Sequence, residues 1–268
     1  MRRDYEEEPT VESLKRSKAI AYFKEGDTAQ NSGDSYKALE YFEKDMELTK
    51  QLYESNPCEK FKEDLGISYQ RVGVIYKDLG DFYKALDFFE LSHKLKKQLY
   101  ESNPRSESLK NLLAISYQKL GEIYKSLENY DEALKFFEKY RDLCEQLYKS
   151  NPKNERLKEG LAISYENLGS IHQILGNIDM AFKLFELRME LGKQLYESNP
   201  KKVQLKFGLA MSYYKLGGIY QDKQQANAMY QQAIGILQEL NIDTKSEKYH
   251  NVIEIILQKM VLLNNFLE

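Results

Sequence analysis

Residues 114–124 read AISYQKLGEIY. Close variants begin at Gly66 (GISYQRVGVIY), Ala162 (AISYENLGSIH) and Ala210 (AMSYYKLGGIY), so the four starts lie 48 residues apart. A second string, Leu-Tyr-Glu-Ser-Asn-Pro, occupies residues 52–57, 99–104 and 195–200, and recurs at 147–152 with Lys149 in place of the Glu. Its prolines fall at 57, 104, 152 and 200, in steps of 47, 48 and 48. Two unrelated strings on one period define an internal repeat, and such periods belong to architectures built from stacked supersecondary units.

Each unit reads as two helices. In the third unit Leu109, Leu113, Tyr117, Leu120 and Tyr124 are spaced 4, 4, 3 and 4, one face of an α-helix. Leu127, Glu128 and Asn129 mark a turn. Ala133, Phe137, Tyr140, Leu143 and Leu147 then form a second stripe, closed by Ser150, Asn151 and Pro152, because proline cannot continue a helix. The fourth unit repeats the pattern with Leu157, Leu161, Tyr165 and Leu168, then Ala181, Phe185, Leu191 and Leu195. In the first unit Gly33 and Asp34 make the turn, and Ala38, Phe42, Leu48 and Leu52 make the second stripe.

The units resemble tetratricopeptide repeats, in a bacterial-type array with an extended repeat. That family places an aromatic, Leu, Gly and Tyr on its first helix, Ala and Phe on its second, and Pro at the close. The matching residues are Tyr117, Leu120, Gly121, Tyr124, Ala133, Phe137 and Pro152. They recur as Tyr69, Val72, Gly73, Tyr76, Ala85, Phe89 and Pro104, and as Tyr165, Leu168, Gly169, His172, Ala181, Phe185 and Pro200. The first unit keeps Tyr22, Gly26, Ala38, Phe42 and Pro57. The fifth keeps Tyr213, Leu216, Gly217 and Tyr220, with a turn three residues short before Ala226, Tyr230 and Ala233. Small residues at the Gly and Ala slots let helices approach closely, and a lone hairpin cannot cover its own apolar face, so hairpins stack.

The resemblance implies an all-α, right-handed α-solenoid of about five hairpins plus a C-terminal helix. The units are expected at about 11–57, 58–104, 105–152, 153–200 and 201–240. The family unit is about 34 residues long, and the extra length here divides between the two helices. Both are then expected to reach about 20 residues, or roughly 30 Å. The added stripes are read as Leu95, Leu143 and Leu191 on second helices and Leu109, Leu157 and Leu205 on first helices.

Composition narrows the function. Lys+Arg is 39 against 42 Asp+Glu, for a net charge of -3. Nucleic-acid binders carry a basic excess to replace phosphate counterions, so no nucleic-acid partner is expected. There is no run of about 18 apolar residues, and MRRDYEEEPT puts acids where a signal peptide needs an apolar stretch, so neither membrane nor secretion is expected. The only cysteines, Cys58 and Cys144, make no disulfide framework, and a reducing cytoplasm is the simplest location.

Catalytic signatures are absent. There is no phosphate loop, no G-x-G-x-x-G, no G-x-S-x-G elbow and no kinase set. His93, His172 and His250 are far apart, and no Cys/His cluster has zinc spacing. His172 stands in a Tyr slot and reads as a packed aromatic substitute. His93 reads as solvated, Cys144 as core filler and Cys58 as exposed. The basic run Lys94, Leu95, Lys96, Lys97 reads as cations suited to the end of a helix. Neither an enzyme nor a cofactor or metal site is expected.

The resemblance further implies that first helices line a concave groove, with groove residues one, five, eight and nine positions after the first aromatic. By position these are Phe23, Asp27, Gln30 and Asn31, then Gln70, Val74, Lys77 and Asp78, then Gln118, Glu122, Lys125 and Ser126. The fourth unit supplies Glu166, Ser170, Gln173 and Ile174, and the fifth Tyr214, Gly218, Gln221 and Asp222. Core slots repeat between units and these slots vary. Either each layer reads a different part of a ligand, or solvated positions have drifted. The slots just after the aromatic hold no Lys or Arg, so the carboxylate clamp of chaperone-binding members is absent. The expected partner is a peptide or protein held by a non-catalytic scaffold.

The ends differ. Residues 1–10 are charged and expected to be loose. A last helix is expected over about 246–267, within the terminal segment 245–268, with Tyr249, Val252, Ile253, Ile256, Met260, Leu263 and Leu267 on one face. Ile255, Leu257, Val261, Leu262 and Phe266 widen its apolar surface. The helix is a cap, a homodimer contact through residues 246–267, or a contact to a further domain. Arrays resembling this one also serve as regulatory arms beside caspase-like peptidases or nucleotide-driven switches.

Overall fold

The computed structural model describes residues 10–244 and 246–265. Residues 1–9, Leu267 of the expected last stripe and Phe266 beside it lie outside the described residues. Among the described residues there are eleven α-helices and no strand, so the fold is an all-α solenoid of helical hairpins. The hairpins are α1 (Val11–Asn31) with α2 (Ser35–Ser55), α3 (Glu59–Asp78) with α4 (Phe82–Ser102), and α5 (Glu107–Ser126) with α6 (Tyr130–Ser150). They continue as α7 (Glu155–Ile174) with α8 (Ile178–Ser198), and α9 (Val203–Gly217) with α10 (Lys223–Thr244), followed by α11 (Glu247–Asn265). α3, α5, α7 and α9 begin at residues 59, 107, 155 and 203, 48 apart each time. α3 has 20 residues and α4 has 21, close to 30 Å of helix each.

The local reasons are visible at each turn. Asp34, Asp81 and Ser106 accept hydrogen bonds from the backbone N–H groups of Lys37 (3.0 Å), Lys84 (3.2 Å) and Leu109 (3.3 Å), which satisfies helix-initial donors. The first-to-second-helix turns carry a left-handed residue: Gly33 (φ 83°), Gly80 (φ 82°), Glu128 (φ 58°) and Gly176 (φ 77°). The fifth hairpin has lost that turn. α9 stops after 15 residues, as the shortened spacing before Ala226 predicts.

The chain divides into two compact units within α6, one up to Phe136 and one from Phe137 onward. In the first, Ala38 and Phe42 bury against Ala29, Val72 and Ile75, and Ala85 and Phe89 against Leu120 and Ile123. Each buried Phe contributes roughly 2–3 kcal/mol from the area it removes from water. In the second, Ala181 and Phe185 bury against Leu216 and Ile219. Tyr230, Ala233, Leu237 and Leu240 of α10 meet Tyr249, Ile253 and Ile256 of α11.

Three expectations need correction. First, residues 241–244, read as lying ahead of the last helix, form the final turn of α10. Lys206 pairs with Glu239 (2.8 Å) and Asp243 (3.6 Å), and this tertiary contact overrides the turn propensity of Asn241 and Asp243.

Second, the added stripes of the second helices are polar in places. Leu95 and Leu143 are only half-buried, whereas Leu191 is buried as read. Buried on the face of the Phe are Asp45 and Thr49 on α2, Ser92 and Lys96 on α4, Tyr140 and Cys144 on α6, and Arg188 on α8. They follow the Phe of each repeat by three or seven residues and so share its face.

Third, His93 is not solvated. Its Nδ1 lies 2.9 Å from Ser116 Oγ and its ring centroid 4.9 Å from that of Tyr117.

Candidate functional site

The first unit gathers its non-repeating polar residues where α1, α3 and α5 neighbour one another. Asp27 on α1 pairs with Arg71 on α3 at 3.3 Å, and the Arg71 guanidinium lies 5.0 Å from the centre of the Phe23 ring. Gln30 donates to Asp78 at 3.5 Å. Lys77 on α3 pairs with Glu122 on α5 at 3.3 Å, and Glu122 also receives Lys119 (3.0 Å) and Gln118 (3.0 Å). Lys125 stands in the last turn of α5, where Ser126 donates to the Glu122 carbonyl at 3.1 Å. Asn31 and Asp78 end their helices and are exposed, whereas Val74 packs against the Ala85–Phe89 cluster. The structure thus brings Asp27, Gln30, Lys77, Asp78, Gln118 and Glu122 into one ladder running from layer to layer. These pairs are partly solvated, so each holds its geometry at a small net free energy, about 0–1 kcal/mol.

Beneath that ladder lies a buried polar layer that sequence reading missed. Lys96, taken as part of a solvated basic run, is 2% exposed, and its Nζ donates to Oε1 of the candidate residue Gln70. Burial, with Lys119 nearby, pulls its ammonium down to about 7. One layer earlier the same slots hold Asp45 and Thr49. Asp45 is 4% exposed and accepts from Ser68 at 2.7 Å, and burial pushes its carboxyl up to about 6. The conspicuous serine of the repeat string is part of this layer: Ser68, Ser116, Ser164 and Ser212 are all buried. A stripe continued from Phe89 at spacings of three and four passes through Ser92 and Lys96, and that period was the signal available.

Asp45 forms the floor of a cleft of about 200 Å³ walled by α1, α2 and α3. Its lining is largely apolar, from Ala19, Ile20, Phe23, Leu52 and Ile67, with Arg16, Asp64, Thr49 and Ser68 as the remaining polar groups.

In the second unit the candidate residues are less assembled. Glu166 pairs with the buried Arg188 at 3.3 Å, and Arg188 also donates to the Gly208 carbonyl at 3.3 Å. Gln173 is half-buried and Ile174 exposed at the end of α7. Ser170 is buried, because its short side chain does not reach the surface. The Tyr214 ring lies 6.1 Å from Tyr230 and 6.0 Å from the Lys259 ammonium. Gly218, Gln221 and Asp222 fall beyond α9, and Asp222 caps α10 by accepting from the Gln225 N–H at 2.8 Å. Truncation of α9 removes these three from any helical face.

Among the described residues no group of three His, Cys, Asp or Glu side chains is arranged to hold a metal, and no helix is long and apolar enough to cross a membrane. Cys144 is buried and its thiol is pushed up to about 12, which withdraws it as a nucleophile. His172 is half-buried in its Tyr slot, 3.4 Å from Asn177, and burial lowers its pKa.

Comparison with known proteins bears on the same helices. Residues 64–146 match the tetratricopeptide repeat family model. These residues are tetratricopeptide repeats. The chain is similar in structure to BtubC from P. vanneervenii, with 17% identity over 91% of each chain and a TM-score of 0.54. It is similar to the apo form of RapI, with 15% identity over 94% of this chain and 81% of that one, and a TM-score of 0.65. A third similar structure is the Rap conjugation gene regulator of plasmid pLS20 in complex with the Phr* peptide. There the identity is 18% over 89% of this chain and 57% of that one, with a TM-score of 0.55. At these identities the likeness is one of fold. No curated protein sequence matches the chain.

Proposed function

We propose that this protein is a non-catalytic interaction scaffold that holds a peptide or protein segment against its first helices. The observation that carries this reading is the ladder on α1, α3 and α5. Slots that pack the core repeat from unit to unit. The slots of the ladder vary between layers, although Gln70 and Gln118 match, as do Lys77 and Lys125, and Asp27, Lys77 and Glu122 sit in partly solvated ion pairs. A surface of that kind offers each layer of a ligand a different donor, acceptor or charge. The fold shared with a regulator solved with a peptide bound is consistent with this use. Two free cysteines suit a reducing compartment, and we place the protein in the cytoplasm.

Affinity capture from the native extract tests the proposal, with a variant carrying Gln118→Ala, Glu122→Ala and Lys125→Ala as its control. Loss of a partner from the variant, with its helical melt unchanged, supports the first-helix face. Equal recovery by both proteins removes it.

A second reading rests on α11. Its inner stripe is buried, yet Ile255 (49% exposed), Leu257 (41%), Val261 (56%) and Leu262 (57%) lie open on its other side. Self-association through this helix would cover them. Light scattering at high concentration decides the matter: a strict monomer ends this reading, and a dimer abolished by Leu262→Glu supports it.

A further inference from the structure

The cleft under α1, α2 and α3 has an unmet chemical requirement. A carboxylate has about four lone-pair sites, and a buried one needs them served. Asp45 is 4% exposed, and only its Oδ2 is well served, by the Ser68 hydroxyl at 2.7 Å. Its Oδ1 has one contact, Thr49 Oγ1 at 3.4 Å. The single Thr49 hydrogen is better placed on the Asp45 carbonyl, four residues back, at 2.8 Å. Oδ1 is therefore a buried anionic acceptor without an effective donor, on the floor of an open cleft.

Charge agrees with geometry. The lining holds two carboxylates, Asp45 and Asp64, against one cation, Arg16. Arg16 does not resolve the imbalance: its Nε is 3.9 Å from Asp64 Oδ2, too far for a hydrogen bond, and has no other partner. Arg16 and Lys60 both offset Asp64, whereas the only charge acting on Asp45 is that same carboxylate, so Asp45 is the one left without a cation. The cleft walls, Ala19, Ile20, Phe23, Leu52 and Ile67, are hydrocarbon. The complementary group is a cation on an aliphatic stem. A guanidinium brings five donors in a planar fork and favours bidentate acceptors, whereas one open oxygen suits a compact ammonium.

We propose that this cleft seats a lysine side chain of the bound peptide, with its methylenes along Ile20, Phe23 and Ile67 and its ammonium on Asp45 Oδ1. The inference rests on the reading of the first-helix face as a peptide site, and names what the first layer of that face selects. Phe23, a candidate groove residue that lies under the Arg71 of the ladder's first ion pair, also lines the cleft, so one extended peptide can engage both.

The test uses the full chain and n-butylammonium, which reproduces the lysine side chain. Methyl NMR of Ile20, Thr49 and Ile67 is followed during titration, with 1-pentanol as the uncharged comparator. The expected result is saturable shifts with butylammonium and much weaker ones with pentanol. Asp45→Asn should weaken butylammonium binding roughly tenfold or more, the range for a hydrogen bond to a charged group. Ala19→Met, which fills the cleft and leaves Asp45 in place, should also abolish it, and melts of both variants confirm that they fold. Equal response to pentanol, equal affinity in Asp45→Asn, or no saturable response overturns the lysine seat. A captured peptide that depends on Gln118, Glu122 and Lys125 but not on Asp45 overturns the seat alone. Dependence on neither overturns the parent reading.

Discussion

Gly73 of α3 and Phe89 of α4 touch so closely that a Cβ on Gly73 would lie 2.8 Å from Phe89 Cε1 and 2.9 Å from Cδ1. The Ala85 carbonyl oxygen would lie 3.3 Å away, so the neighbour that must yield includes backbone. The same approach recurs between Gly26 and Phe42 and between Gly169 and Phe185. Gly73→Ala is therefore expected to destabilise by about 1–3 kcal/mol, the usual range for overpacking a core. Urea denaturation measures it, and adding Phe89→Leu should recover part of the loss. Wild-type stability in Gly73→Ala would show that the hairpin does not depend on this contact.

Glu128 occupies the left-handed turn position that glycine holds in the first, second and fourth hairpins, with φ of 58°. A side chain there costs about 1–2 kcal/mol relative to the right-handed region. Glu128→Gly should raise stability by about 1 kcal/mol, and Gly80→Ala should lower it by a similar amount. Thermal melts of the two variants should move in opposite directions.

The two buried charges give opposite pH dependences. Lys96 loses its proton near 7 when folded but near its ordinary 10.5 when unfolded. Between those values the unfolded chain binds more protons, so this group makes stability rise with pH and penalises the fold below about 7. Lys96→Met, similar in volume, should stabilise the protein at pH 6, with the gain fading towards pH 10.

Asp45 behaves in reverse, with its carboxyl raised to about 6 against its ordinary 3.8. The folded chain binds more protons between those values, so stability from this group falls as pH rises from about 4 to 6. Asp64 and Arg16 face the same cleft, and Asp64 is itself raised by burial, so Asp45→Asn should reduce this slope without erasing it. Urea midpoints across pH read out both effects.

Cys144 is 5% exposed and its thiol is held at about 12, whereas Cys58 is half-buried at the start of α3. An aromatic disulfide reagent should label one thiol per native chain rapidly and the second only on unfolding. Cys58→Ser should remove the fast phase. Two fast thiols would contradict the packing of α6.

Much of the fold was legible because the repeat encodes size. Gly73, Ala85 and Phe89 recur in register, and that register places the hairpin contact before any coordinates are seen. The polar layer was harder to read because apolar residues were taken as the inward ones. Leu95 seemed to point inward, yet the face through Phe89, Ser92 and Leu99 carries Lys96 into the interior. A buried amine or carboxylate breaks the binary pattern, and only the strict helical period recovers it. The candidate face was partly legible. Lys77 and Glu122 pair with each other, but Asp27 pairs with Arg71, a residue that the positional rule leaves out. Gln221 and Asp222 failed because a short turn ended α9 before their positions were reached.

Hydrogen exchange of the whole chain, with and without its captured partner, tests the central claim most directly. The account predicts new protection on α1, α3 and α5, centred on peptides that contain Asp27, Lys77 and Glu122, with the second helices α2 and α4 little changed on their outer faces. Protection confined to α11, or to the second helices alone, would contradict it.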